Sequence, residues 1–232
     1  MKVDDIMAAA HAEKRTVLTE IEAKEILEEA GINCTTTKLA TSKEQAVELS
    51  ETLGFPVVLK ISSVDITHKS DMGGVKVNLK SREAVEAAFD DILAAASSKH
   101  PEAVVEGVSV QPMAGAGIEV IMGMTLDPSF GPVVMFGIGG VFVELLEDVA
   151  FRIVPFDKND ASEMIAEIKG KKLLDGYRGQ DPADIPYLEG MLLKLSDFLD
   201  RTPGIAEIDM NPVFAYREGA VVVDARIILA EV

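Results

Sequence analysis

The sequence predicts an α+β fold arranged as two lobes within a single module. Helical and extended patterns alternate along the chain, the composition shifts towards strands and glycines from Val108, and no low-complexity stretch or flexible linker interrupts it. At 232 residues the chain accommodates one large domain or two small ones sharing a cleft. The seam falls near Val105 to Pro112, giving approximate lobes of 18–110 and 111–232.

The elements follow in order. Thr19 and Glu22 form a capping box ahead of an apolar stripe of Ile21, Ile26, Leu27 and Ala30, which Gly31 ends. Thr41 and Glu44 repeat the device before a helix carrying Ala46, Leu49 and Leu53, stopped by Gly54 and Pro56. Residues 57–61 are apolar apart from Lys60 and read as a buried strand. A polar loop, 62–74, leads to a strand over 75–79, and Ser81 opens a helix with Val85, Ala88, Phe89 and Ile92 on its buried side. The second lobe predicts strands over 109–113, 117–124 and 132–137, then helices over 160–168 and 185–199. It closes with a hairpin, 205–215 against 220–229, turning at Glu218-Gly219. The likeness of Ser42-Lys43-Glu44 to Ser81-Arg82-Glu83 is helix-start chemistry, not an internal repeat.

Composition narrows the function. The chain is 48% hydrophobic and 26% charged, ordinary values for a globular protein. With 39 acidic against 22 basic residues, the net charge of -17 repels nucleic-acid phosphates, and no Lys/Arg cluster interleaved with aromatics offsets it. Any phosphate site must be local. No apolar run approaches the roughly 20 residues of a membrane span, and Met1 to Asp5 lack the basic, then apolar, start of a signal peptide. The lone Cys34 cannot form an internal disulfide, so a reducing cytoplasm is expected.

Candidate chemistry sits in few places. Lys60 ends an apolar strand: it either snorkels to the surface or, beside the Gly73-Gly74 loop with its backbone N–H groups, clamps a phosphate. Asp209 and Asn211 are two apart and project from one face of the closing hairpin. A two-residue turn pairs Arg217 with Ala220 and sets Asp224 opposite Val213, on that same face. Three hard oxygen donors there suit Mg²⁺; the alternative is a solvated edge, at odds with the apolar neighbours of Asp224. Gly137-Ile138-Gly139-Gly140 lacks dinucleotide-fingerprint spacing and is either a ligand-closing loop or a turn. Arg152, after Glu144 and Glu147, belongs to an ion pair or faces a transferred phosphate. His11 and His100 read as solvated; His68 lies in the polar loop beside Lys60. One cysteine excludes a Cys/His zinc pattern.

Six segments in register carry a resemblance: Leu18-Thr19-Glu20-Ile21-Glu22-Ala23-Lys24, Phe55 to Lys60, Thr67 to Val75, Val110-Gln111-Pro112-Met113, Gly137 to Gly140 and Asp209-Met210-Asn211-Pro212. From about Leu18 onward the chain resembles the β subunits of ADP-forming acetyl-CoA synthetases, relatives of the succinyl-CoA synthetase β subunit. The resemblance implies an ATP-grasp fold with the nucleotide between two α+β lobes. It further implies that Lys60 binds nucleotide phosphate, that Gln111 to Met113 form a hinge meeting adenine, and that Glu119 lies near the ribose. The resemblance also implies that Asn211 and Asp224 hold Mg²⁺, with Asp209 adjacent.

The implied reaction is acyl-CoA + ADP + phosphate giving carboxylate + ATP + CoA, reversibly. No CoA-binding Rossmann pattern is present here, so a separate α subunit is expected. The resemblance implies that this subunit carries the CoA chemistry and a phosphorylated histidine, and suggests an α₂β₂ assembly. Lys60, Mg²⁺ and Arg152 would offset phosphoryl charge, and His68 would relay the phosphoryl group or hydrogen-bond it. The competing expectations are another ATP-grasp ligase, of succinyl-CoA synthetase β or carboxylate–amine type, and a nucleotide-sensing module without turnover.

Overall fold

The computed structural model describes residues 2–66, 68–140, 148–177, 179 and 181–231. The chain forms two compact units, Thr35–Gly115 and a larger one of Met1–Cys34 with Ala116–Val232. The first lobe read from sequence, 18–110, therefore differs at its start: residues up to Cys34 belong with the C-terminal part.

Burial explains that difference. Helix α1 (Lys2–Ala12), in a stretch where the sequence analysis predicts no element, buries Val3 and Ala10. Helix α2 (Glu20–Glu29) has the expected Thr19–Glu22 capping box and buries Ala23, Ile26 and Leu27. These join one core with Ile227 and Leu229 near the C-terminus. Burying an Ile or Leu contributes about 1.5–3 kcal/mol, which outweighs any preference for sequence neighbours. The Leu18 N–H donates to the Ile227 carbonyl (3.0 Å), and bridges join Val17 to Ile228 and Cys34 to Val222.

The smaller unit runs β1 (Lys38–Ala40), α3 (Lys43–Leu53), β2 (Val57–Ser62), β3 (Val75–Leu79), α4 (Arg82–Lys99) and β4 (Gly107–Pro112). Its antiparallel sheet has the order β1-β4-β2-β3. The second capping site is one residue later than expected: Ser42 accepts from the Gln45 N–H, while the Gln45 side chain accepts from the Thr41 N–H. Ser42 and Gln45 supply the same donor–acceptor chemistry as Thr41 and Glu44, so local pattern alone did not separate them. Val57, Leu59, Ile61, Val108 and Val110 pack with Ala46, Val47, Val85, Phe89 and Ile92 from the two helices.

The larger unit adds β5 (Ile118–Asp127), β6 (Gly131–Ile138), β7 (Val149–Ile153), α5 (Lys158–Glu167), α6 (Lys171–Leu174), α7 (Ile185–Arg201), β8 (Ile205–Ala215), β9 (Ala220–Val222) and β10 (Ala225–Leu229). The strand order is β10-β8-β5-β6-β7, with β9 also on β8, all antiparallel. Helix α5 starts earlier than read because Asp157 and Asp160 form its capping box. Val120, Met122, Met124, Val134, Phe136, Ile208 and Met210 share a core with Met164 and Ile165 of α5 and Leu188, Leu192 and Leu195 of α7. Among the described residues no helix is long and apolar enough to cross a membrane.

Candidate active site

Each sheet gives one face to helices, and most expected site residues occupy the other face. In the larger unit, alternation sends Val120, Met122 and Met124 to the core and Glu119, Ile121 and Gly123 to the opposite side. Gly123 pairs with Asp209, and Asp209 pairs with Arg226. Glu207, whose carboxylate is ion-paired to the Arg226 guanidinium, belongs to the same face. Sequence reasoning missed Glu207 and Arg226, although Glu207 shares the parity of Asp209.

Pro212 shapes this face. Val120 pairs with Val213 and Met122 with Met210, so Asn211 and Pro212 together oppose Ile121 in a β-bulge. Across β8, Val223 and Asp224 separate β9 from β10 and lie against the same bulge. The Asn211 N–H donates to the Asp224 carbonyl (3.2 Å), and the Val223 N–H donates to the Pro212 carbonyl (3.0 Å).

This register corrects the sequence reading. Ala215, not Arg217, pairs with Ala220, and Tyr216 to Gly219 form the turn. The Tyr216 N–H donates to the Gly219 carbonyl, and the Asp184 carboxylate accepts from the Gly219 N–H. Asp224 consequently lies opposite Asn211 instead of Val213. The slip is two residues, an even number, so Asp209, Asn211 and Asp224 keep the common face expected of them.

Asp209 is partly buried, and its pKa is raised above the ordinary aspartate value. Burial is the largest cause; Arg226 opposes it, while Glu207 and Asp224 add to it. Such carboxylate crowding is what a cation relieves. Among the described residues no cluster of three His, Cys, Asp or Glu side chains suits an all-protein metal cage. One amide oxygen and one or two carboxylates nevertheless fit Mg²⁺, which retains several waters and phosphate oxygens.

In the smaller unit Lys60 lies within β2, between Val75 of β3 and Ser109 of β4. It does not snorkel: it is 4% exposed, on the face opposite the helix-packed Leu59 and Ile61. Gln111 shares that face and is fully buried, and its side-chain oxygen accepts from the hydroxyls of Thr37 (3.2 Å) and Thr35 (3.4 Å). Its amide oxygen thus anchors the start of the unit. Met113 is 41% exposed, and its N–H donates to the Pro56 carbonyl.

The glycine loop departs from expectation. The Gly73 and Gly74 N–H groups donate to the carbonyls of Ser70 (3.0 Å) and Lys69 (2.8 Å), so they close the turn instead of pointing at a ligand. Gly73 has φ +81°, and a Cβ on Gly74 would approach Ile61 Cγ2 to 2.8 Å and the Lys69 carbonyl to 2.9 Å. Lys99 donates to the Met72 carbonyl (3.1 Å). Together these contacts set the turn beside exposed His68.

Arg152 stands apart from the group. It pairs with Val134 on the core side of the sheet, and Glu167 of α5 grips its guanidinium at 2.6 and 3.0 Å. Glu163 lies 3.8 Å away. The structure therefore gives Arg152 the ion-pair role; Glu144 and Glu147, its expected partners, lie outside the described residues. Glu119 is exposed, and its carbonyl accepts from the Gly139 N–H (2.7 Å).

The model of the ATP-grasp domain family matches residues 9–229. The β subunit of ADP-forming acetate–CoA ligase I from Pyrococcus furiosus is 48% identical over 228 residues, covering 98% of both chains. This chain belongs to the β-subunit family of ADP-forming acetate–CoA ligases. It therefore has the ATP-grasp fold. Acetyl-coenzyme A synthetase 1 of Candidatus Korarchaeum cryptofilum, solved with coenzyme A and Ca-AMPCP, superposes on this family member with a TM-score of 0.95 at 48% identity, covering 97% of this chain and 98% of that one. The same enzyme with coenzyme A and Mg-AMPPCP, its phosphohistidine segment pointing towards the nucleotide-binding site, gives a TM-score of 0.86 at 45% identity over 98% and 99% of the two chains.

Proposed function

We propose that this chain is the nucleotide-binding β subunit of an ADP-forming acyl-CoA synthetase, with acetyl-CoA the first substrate to test. The observation that carries the site assignment is the pairing of Asn211 with Asp224 across the Pro212 bulge, beside Asp209. In this reading Asn211 and Asp224 hold Mg²⁺, which supplies charge neutralisation to the nucleotide phosphates. Lys60 binds phosphate, and its burial strengthens that attraction because little water screens it. The exposed Met113 segment meets adenine, and Glu119 lies near the ribose.

His68 acts as the relay. Its neutral imidazole nitrogen forms a P–N bond as the P–N bond to the partner's phosphohistidine breaks. A terminal oxygen of ADP then forms a P–O bond as the His68 P–N bond breaks, returning neutral imidazole. In both transfers the protein supplies alignment and charge stabilisation. The partner is an α subunit with the CoA-binding domain, in an α₂β₂ assembly. Support comes from the Korarchaeum enzyme, solved with both coenzyme A and a phosphohistidine segment.

The test is co-expression with a candidate α subunit and assay of ATP formation from acetyl-CoA, ADP and phosphate with Mg²⁺. Turnover requiring both chains supports the reading. Tight Mg–ADP binding without turnover, across several partners and acyl-CoAs, would favour a nucleotide sensor or another ATP-grasp ligase. His68→Ala is expected to abolish ATP formation and leave nucleotide binding intact; full activity in that variant removes His68 from the mechanism.

A further inference from the structure

The buried ion pair Lys24–Glu20 has no place in the mechanism above, yet it reaches the proposed cation site. Both residues lie on α2, four apart, with side chains 3% and 4% exposed and the Lys24 ammonium 2.8 Å from the Glu20 carboxylate. Lys24 also donates to the Val223 carbonyl at 2.8 Å, across 199 positions of sequence.

That carbonyl occupies an unusual place in the ladder. In an antiparallel hydrogen-bonded pair the two residues exchange both N–H···O bonds. Val223 gives its N–H to the Pro212 carbonyl, but proline has no N–H to return. Lys24 donates to the Val223 carbonyl in its stead. The next residue is Asp224, whose carbonyl accepts from the Asn211 N–H. The ammonium thus fixes the peptide that leads into the Asp224 carboxylate. A buried ion pair is a weak device for stability, since well-packed apolar residues often serve as well; a geometric role accounts better for this one.

We propose that Lys24, held by Glu20, is a positioning residue for the cation site, replacing the donor that Pro212 lacks and setting Asp224 against Asn211. This rests on the reading that Asp224 is a metal ligand. The test compares the wild-type complex with Glu20→Gln/Lys24→Met, which removes the donor and both charges of the pair. Mn²⁺ binding in the presence of ADP is measured by electron paramagnetic resonance, alongside the Mg²⁺ dependence of ATP formation. The Mn²⁺ dissociation constant and the Mg²⁺ half-saturation should both rise about 10-fold or more, as for other residues that orient metal ligands. The KM for acyl-CoA should not change. Wild-type metal affinity in the double variant overturns the proposal.

Asp224→Asn, run in parallel, separates the two readings. Unchanged Mn²⁺ binding there sinks the metal assignment itself. Weakened binding there, with wild-type binding in the double variant, sinks only the positioning role. Lys24→Arg keeps the charge but moves the donor, and should weaken Mn²⁺ binding in the same direction if the neutral pair fails to fold. Loss of folding in both Lys24 variants also overturns the proposal, because the pair would then serve the core alone.

Discussion

The two sheets of this chain solve the same packing problem and then diverge in electrostatics. Each buries one face under helices. On the other face, the larger sheet gathers Glu207, Asp209 and Asp224, with Asn211 exposed beside them. The smaller sheet instead buries one lysine and one amide, Lys60 and Gln111. The difference fits the proposed roles. Oxygen donors for Mg²⁺ would stay open to water and phosphate, whereas a lysine holding phosphate would gain from a low-dielectric setting.

The largest expected effect tests the basic side. Lys60→Met should keep the fold, because its stem already packs in an apolar strand, but lower kcat/KM for ADP by about 100-fold or more, comparable to removing a transition-state donor. Steady-state kinetics of the complex checks this; a change below tenfold would break the contrast. On the acidic side, Asp224→Asn should raise the Mg²⁺ half-saturation by roughly 10–100-fold, read by metal titration at saturating ADP. Arg152→Leu sharpens the boundary of the site. Gripped by Glu167 on the core side, Arg152 should prove replaceable, with turnover within about twofold of wild type as is common for partly exposed ion pairs.

The smallest effect concerns pH. Burial pushes the Glu22 pKa up, but Arg15 and the Thr19 N–H more than offset it, so the carboxyl titrates below its ordinary value. With a lowered folded pKa, the stabilisation is present above about pH 4.5 and is lost as pH falls through the folded value. Glu22→Gln should therefore lower the thermal unfolding midpoint at pH 7, where that stabilisation is fully present, and flatten its fall below about pH 4.5. Thr19→Ala should cost about 1 kcal/mol at either pH.

Much of this was legible in the residues. The strand at Val57, the capping box at Thr19 and the common face of Asp209, Asn211 and Asp224 rest on periodicity and short-range hydrogen bonding, which sequence spacing expresses directly. The common face of Asp209, Asn211 and Asp224 survived a wrong register because strand parity has period two, so an even slip leaves the face unchanged. Gly73 and Gly74 stand out in the sequence, but their N–H groups serve the turn and not a phosphate. Glycine marks close approach, yet spacing does not say whether its N–H meets a ligand or the turn itself.

By itself, then, the sequence determined the alternation of elements, the caps at Thr19 and Ser81, the acidic hairpin and the family. Only the tertiary structure decided that the first 34 residues join the C-terminal unit, that Arg152 belongs to Glu167, and that Lys24 meets Val223. The physical reason is shared. Local pattern records how a residue relates to neighbours within a few positions, whereas these contacts follow from which apolar faces bury together and which backbone groups the ladder leaves for a side chain to complete.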